Sequence, residues 1–219
     1  MKNPWVIIGV IAVVLIGGSV WYSSTVAATN NEGVTFTDHI KGNEAATVKL
    51  TEYSDFECPA CASFQPVLAD IMTEFGDAIA FEYKHYPLPM HKLAVPAARA
   101  AEAAAQQDAF FAYHDLLFAN QSTWAKSPNP LISFMQYAEE LGLDTEKFKR
   151  HYNSSMINDR IVESAREARG LGLTGTPTFF LNGEQMKIET YDDFRNQILA
   201  ALGVTTASTT PESKVQFGI

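Results

Sequence analysis

Cysteine is nearly absent: the 219 residues hold two, Cys58 and Cys61, both inside the stretch EYSDFECPACASF. That scarcity excludes a disulfide-dense scaffold. It also argues against a zinc centre, which takes four ligands, because no second cysteine pair accompanies the first. Basic residues are in short supply too, 16 Lys and Arg against 25 Asp and Glu, for a net charge of −9. Such a balance excludes the basic footprint of a nucleic-acid binder. Charge of either sign is missing from residue 3 to residue 31. No internal repeat is visible.

The uncharged start is what makes the two cysteines interesting. Trp5 to Tyr22 is an apolar run of 18 residues, long enough to cross a bilayer as a helix. Lys2 alone precedes it and Glu32 is the first charge after it, so residues 1–4 are expected in the cytoplasm and everything after residue 22 outside. Trp5, Trp21 and Tyr22 suit the two membrane interfaces. Residues 23–34 are small and polar and read as a tether. A cleaved signal peptide is the alternative, with Val26-Ala27-Ala28 as its cleavage site. No cysteine stands at the end of the run, where a lipid-modified anchor would need one. Anchor and signal alike export the domain to a place where disulfides persist.

The exported part reads as one α/β domain over residues 35–203, followed by a tail at 204–219. Its 47% hydrophobic content suffices for a core without staples. Thr47 to Tyr53 alternates as a strand, which puts Glu52 on the apolar face with Val48 and Leu50. A helix is expected from Pro59 to Gly76, with Pro66 inside it, and a second strand from Ile79 to Tyr86. Strand, helix, strand in that order suggests a parallel pair. Residues 93–173 look helical throughout and are read as an insertion, Ala-rich with aromatics at its end from Leu93 to Phe118, with a helix start at Asn129-Pro130 and a stripe of Ile157, Ile161, Ala165 and Ala168. Strands return at Pro177–Leu181 and Gln185–Ile188 around an Asn182-Gly183 turn. Thr190 and Asp193 open a last helix that buries Tyr191, Phe194, Ile198 and Leu202.

The cysteines lie where the first strand gives way to the first helix. Pro59 suits the first helical position, which leaves Cys58 at a helix N-terminus, where unpaired N–H groups favour a thiolate. That placement makes Cys58 the nucleophile and Cys61, one turn on, its buried resolving partner. A four-residue ring stabilises little, so an inert staple is a poor explanation. Two thiolates holding copper(I) is a further alternative. Asp55 and Glu57 would disfavour a neighbouring thiolate and are read as solvated surface, and His85 as a structural histidine. Downstream, Gly175-Thr176-Pro177-Thr178-Phe179-Phe180 begins a strand with a proline, which a cis bond or a trans strand entry would each explain.

EYSDFECPAC, KHYPLP and GTPTFFLNG together resemble the DsbA family of thiol:disulfide oxidoreductases, from about Phe36 to Leu202. The resemblance is closest to membrane-tethered bacterial members. It implies a thioredoxin-like fold with a helical insertion, preceded here by one transmembrane helix. It implies a cis proline at Pro177 facing the cysteines, and a substrate strand lying along Thr176 and Pro177 beside Pro59 and Ala60. It implies that Glu52, six residues before the nucleophile, exchanges a proton with Cys61. The best-known members carry a histidine where this chain has Ala60, which points to a weaker oxidant. By resemblance the substrates are reduced exported proteins. The recycling partner is a membrane quinone-linked thiol oxidase, DsbB-like or VKOR-like, and no cofactor or metal is called for. A monomer is expected. The rival functions are a reductase or isomerase on the same fold, and a non-catalytic thioredoxin-like binding module.

Overall fold

The structure, a computed structural model, describes residues 4–204. The expected tail at 204–219 falls outside them except for Val204. At the centre is a five-stranded sheet in the order β1-β3-β2-β4-β5. β2 (Val48–Ser54) and β3 (Ile79–His85) are parallel, as the helix between them, α2 (Pro59–Phe75), requires. β1 (His39–Gly42) pairs antiparallel with β3 on one side, and β4 (Thr178–Leu181) antiparallel with β2 on the other. β5 (Glu184–Gln185) forms the far edge, and α9 (Tyr191–Ala201) closes the domain. Between β3 and β4 the chain makes α3 (Ala94–Ala105), α4 (Phe110–Ala119), α5 (Gln121–Trp124), α6 (Pro130–Glu140), α7 (Thr145–Tyr152) and α8 (Ser155–Gly170). This is a thioredoxin-like α/β fold with a helical insertion.

Strand alternation sorts the side chains into two layers. Val48, Leu50 and the equally buried Glu52 share the face of β2 that packs with Ile71 and Phe75 of α2 and Phe194 of α9. Phe179 of β4 joins that layer, its ring 4.9 Å from Phe64 and 5.0 Å from Phe194. Tyr53 faces the opposite way, onto Ala165 and Ala168 of α8. The Asn182-Gly183 turn has positive φ at both residues, 51° and 87°, the twist a two-residue hairpin needs. Thr190 and Asp193 form a reciprocal cap at the start of α9.

Several elements depart from what composition suggests. The Ala-rich stretch divides into two helices, α3 and α4. Gln106 leaves the helix to bond the backbone N–H and carbonyl of Thr35, Gln107 does the same to Asp144, and Asp108 turns the chain at φ 59°. β5 is shorter than the expected 185–188, because Met186 turns inward and its N–H bonds the carbonyl of Phe179. β1 is short and polar and carries no periodic signal. It holds the one glycine the fold depends on most plainly: Gly42 sits at φ 90°, and a Cβ there would lie 2.7 Å from the carbonyl oxygens of Gly76 and Ile79.

The first helix, α1 (Pro4–Asn31), runs on through the stretch read as a tether. The hydroxyls of Ser24, Thr25 and Thr29 satisfy themselves on carbonyls of the preceding turn, so small polar residues there do not break it. Its end is fixed to the domain. Asn31 Oδ1 accepts from Ser154 Oγ and from the N–H of Ser155 at the start of α8, and His151 Nε2 donates to the carbonyl of Glu32. Ile8–Asn31 is long and apolar enough to cross a membrane, with a mean hydropathy of 1.7 and none of its most apolar window buried.

Candidate active site around Cys58 and Cys61

Ser54 ends β2, and four residues later Cys58 caps α2. Cys58 is extended (φ −71°, ψ 120°), uses no side-chain cap and is followed by Pro59 at the first helical position. The helix's first N–H groups are therefore left free to face the Cys58 sulfur. Both cysteines are thiols here. Cys58 keeps 7% of its surface exposed and Cys61 none, which is the division of an attacking and a resolving sulfur. Pro59 and Ala60 between them are exposed.

The Thr176–Pro177 bond is cis. The carbonyl of Thr176 lies 3.4 Å from Cys58 Sγ and accepts from it while Cys58 is a thiol. The loop in which sequence alone leaves two conformations is thus in contact with Cys58. Thr178 Oγ1 closes that loop onto the carbonyl of Gly175.

The electrostatics of the two sulfurs diverge. A hydrogen bond from the Cys61 thiol, helped by Thr176 and by the N–H groups of Cys61 and Ala60, lowers the Cys58 pKa from 9.0 to about 5 in spite of burial. Ala60 lacks the side-chain donor of the best-known DsbA proteins, yet its backbone contributes one. Burial pushes Cys61 well above its ordinary value, and its role as donor to Cys58 pushes it further. At neutral pH the pair is one thiolate and one thiol. In the reduced protein, iodoacetamide alkylation of Cys58 is therefore expected to follow a titration with a midpoint near 5. Cys61 should stay unmodified throughout the neutral range. A Cys58 midpoint above about 8, the range of a free thiol, would contradict this electrostatic picture.

Beneath the cysteines lies a buried polar patch. Glu52 is fully buried, and neither of its carboxylate oxygens has a hydrogen-bond partner among the described residues. Burial raises its pKa from 4.5 to about 7. Ser54 Oγ and Tyr83 Oη are likewise buried without partners. Tyr83 stands beside Glu52 in register and feels the charges of Glu52 and Cys61. Ser54 and Tyr83 carry no motif in the sequence. Only their place at the end of β2 and on the neighbouring strand could have pointed to them.

Asp55 is not solvated surface, as its position in an acidic run suggests. It is 2% exposed and braces the loop. One oxygen accepts from the N–H of Glu57, and the other accepts from the N–H of Leu88 and contacts His91 Nδ1 at 2.7 Å. Glu57 is half-buried and accepts from the N–H of Leu93. Both acids bind the active-site turn to residues 87–93, whose N–H groups cannot be located from sequence. Gln121, another residue with no sequence signal, donates to the carbonyls of Phe56 and Cys58 and fixes the other side of the turn. His85 is buried and structural, 3.0 Å from Glu102.

Three comparisons place this architecture. The family model described as Thioredoxin matches residues 35–200. Among solved structures, a form of α-DsbA1 from Wolbachia pipientis is 25% identical with a TM-score of 0.66, covering 80% of this chain and 96% of its own. BdbD from Bacillus subtilis, oxidised, is 21% identical with a TM-score of 0.67 over 79% and 95%. A Na(+)/H(+) antiporter NhaA 1 of Salinispora arenicola is 40% identical over 149 residues, which is 68% of this chain and 22% of the antiporter. The chain thus spans about a fifth of the length of that relative. The chain belongs to the thioredoxin family and shares its fold with solved proteins of the DsbA type.

Proposed function

We propose that this protein is a membrane-held, extracytoplasmic thiol oxidase that donates the Cys58–Cys61 disulfide to exported proteins. The observation that carries the reading is the asymmetry of the pair, a thiolate-stabilised Cys58 against the cis loop and a buried Cys61 of raised pKa. Stabilising the reduced form makes the disulfide a stronger oxidant.

A substrate thiolate attacks Cys58 in the disulfide, the substrate–Cys58 bond forms, and the Cys58–Cys61 bond breaks with the electron pair on Cys61. Cys61, with its raised pKa, takes up a proton, and Glu52, with a pKa of about 7, is the buried acid that supplies it. A second substrate thiolate then attacks the substrate sulfur, leaving Cys58 as the thiolate and the substrate oxidised. Two electrons have passed to this protein. Thr176 and Pro177 would seat the substrate backbone, with exposed Pro59 and Ala60 as the rim. A membrane quinone-linked thiol oxidase would restore the disulfide. The apolar surface of α1 supports placement at the membrane, with the domain on the outer side.

The test is direction. Oxidised protein mixed with an equal amount of a reduced dithiol peptide is expected to oxidise more than half of the peptide. Reduced protein should leave the disulfide form of that peptide largely intact. The opposite partition would identify a reductase.

A further inference from the structure

His39 on β1, His85 at the end of β3 and Glu102 in α3 converge on one point. His39 Nε2 and His85 Nε2 stand 2.9 and 3.0 Å from the same oxygen, Glu102 Oε1. All three residues are buried, Glu102 completely. Its other oxygen, Oε2, is buried with no hydrogen-bond partner among the described residues. A buried carboxylate ordinarily engages both oxygens, so an orphaned one calls for an explanation. A cavity of about 570 Å³ opens against the same three side chains and is also lined by Asp38, Asp159 and Arg160.

We infer that His39, His85 and Glu102 form a binding site for a divalent transition-metal ion of the zinc or cobalt class. Two imidazoles and a carboxylate are a donor set for such ions, whereas calcium and magnesium take oxygen. The candidate ligand atoms already lie within 4.8 Å of one another. Bonds of about 2.0–2.1 Å from a tetrahedral ion would set them roughly 3.3 Å apart, a shift of a few tenths of an ångström for the two histidines on Glu102. The fourth position would face the cavity and take water. Binding would require each imidazole to carry its proton on Nδ1, freeing the Nε2 lone pair that now gives way to the N–H facing Glu102. The ion would tie β1, β3 and α3 together and take no part in the thiol chemistry.

One group opposes it. Arg160 Nε lies 3.3 Å from Glu102 Oε1 and holds the cationic place there. Arg160 also donates to the carbonyl of Thr37 and lies 3.8 Å from Asp38, so it has anchors to keep when the metal arrives. Removing its charge should strengthen metal binding at least tenfold, because a unit positive charge about 4 Å from a dication is repelled by more than a tenfold change in affinity requires, even at the dielectric of water.

The experiment uses the full chain with Cys58 and Cys61 oxidised, so that no thiolate can bind, and Co(II) as the probe. One ion per chain is expected, with visible ligand-field bands, no sulfur charge-transfer band and a raised Tm. His39→Gln and Glu102→Gln should lose that equivalent, and Arg160→Gln should bind at least tenfold more tightly. Should the first two fail to fold, X-ray absorption on the wild-type complex decides: a shell with two imidazole nitrogens upholds the site, and an oxygen-only shell overturns it. No uptake by the oxidised wild type, or unchanged uptake by folded His39→Gln, would also overturn it.

Discussion

Replacing Cys58 by serine is expected to reduce disulfide transfer to the uncatalysed background, a loss of more than about a hundredfold, because a hydroxyl is not ionised at neutral pH and forms no disulfide. Cys61→Ser should behave differently. Cys58 keeps its nucleophile and its contact with the Thr176 carbonyl, but no buried thiol remains to expel a bound partner. Exposed to oxidised glutathione, this variant is expected to accumulate one adduct per chain, at Cys58, while turnover stops. Mass spectrometry after brief exposure reads both results. Equal adduct formation in the two variants would mean that exposure and thiolate stability are not divided as the structure divides them.

The second large effect concerns Glu52. Its folded pKa of about 7 lies above its ordinary 4.5. Below the ordinary value the group is neutral in both states and burial carries no ionisation penalty. Between that value and the folded pKa, the unfolded chain releases a proton that the folded chain keeps, so stability falls as pH rises. At about 1.4 kcal/mol per pKa unit, the loss across pH 4.5–7 is about 3 kcal/mol, and above the folded pKa it is complete. Glu52→Gln does not titrate. With the cysteines joined as a disulfide, so that neither thiol contributes, urea denaturation should show the variant gaining about 3 kcal/mol on the wild type across that window. A gap independent of pH would show that Glu52 is ionised inside the fold as readily as outside it. If Glu52 supplies the Cys61 proton as proposed, the variant should also slow transfer near neutral pH.

Why the sequence revealed some of this and not the rest follows from the range of each interaction. The C-P-x-C turn, the parallel β-α-β unit and the helical stripe of Ile157, Ile161, Ala165 and Ala168 are local, and strand or helix periodicity exposes them. Glu52 was legible for the same reason: strict alternation in β2 leaves it no other face. The cis bond at Pro177 needed the family resemblance, since proline at a strand entry allows either isomer. Asp55 and Gln121 were illegible because their partners are backbone groups placed by other parts of the fold: the N–H of Leu88 for Asp55, the carbonyls of Phe56 and Cys58 for Gln121. An acidic residue in a polar run carries no mark of burial. The break between α3 and α4 hides likewise, because ordinary glutamines make it through contacts at Thr35 and Asp144 rather than through glycine or proline. The end of α1 was misplaced because serine and threonine, which suggest a tether, bond back onto their own helix.

The central claim is that this site holds its disulfide as an oxidant. Equilibration of the chain with glutathione buffers, reading the fraction of Cys58–Cys61 disulfide, measures it directly. A Cys58 pKa of about 5 lies between the values of about 7 and 3.5 that accompany thioredoxin and the strong oxidant DsbA. The account therefore predicts a potential well above about −270 mV and toward about −120 mV. A value at or below about −270 mV would make the pair an electron donor and contradict the oxidase.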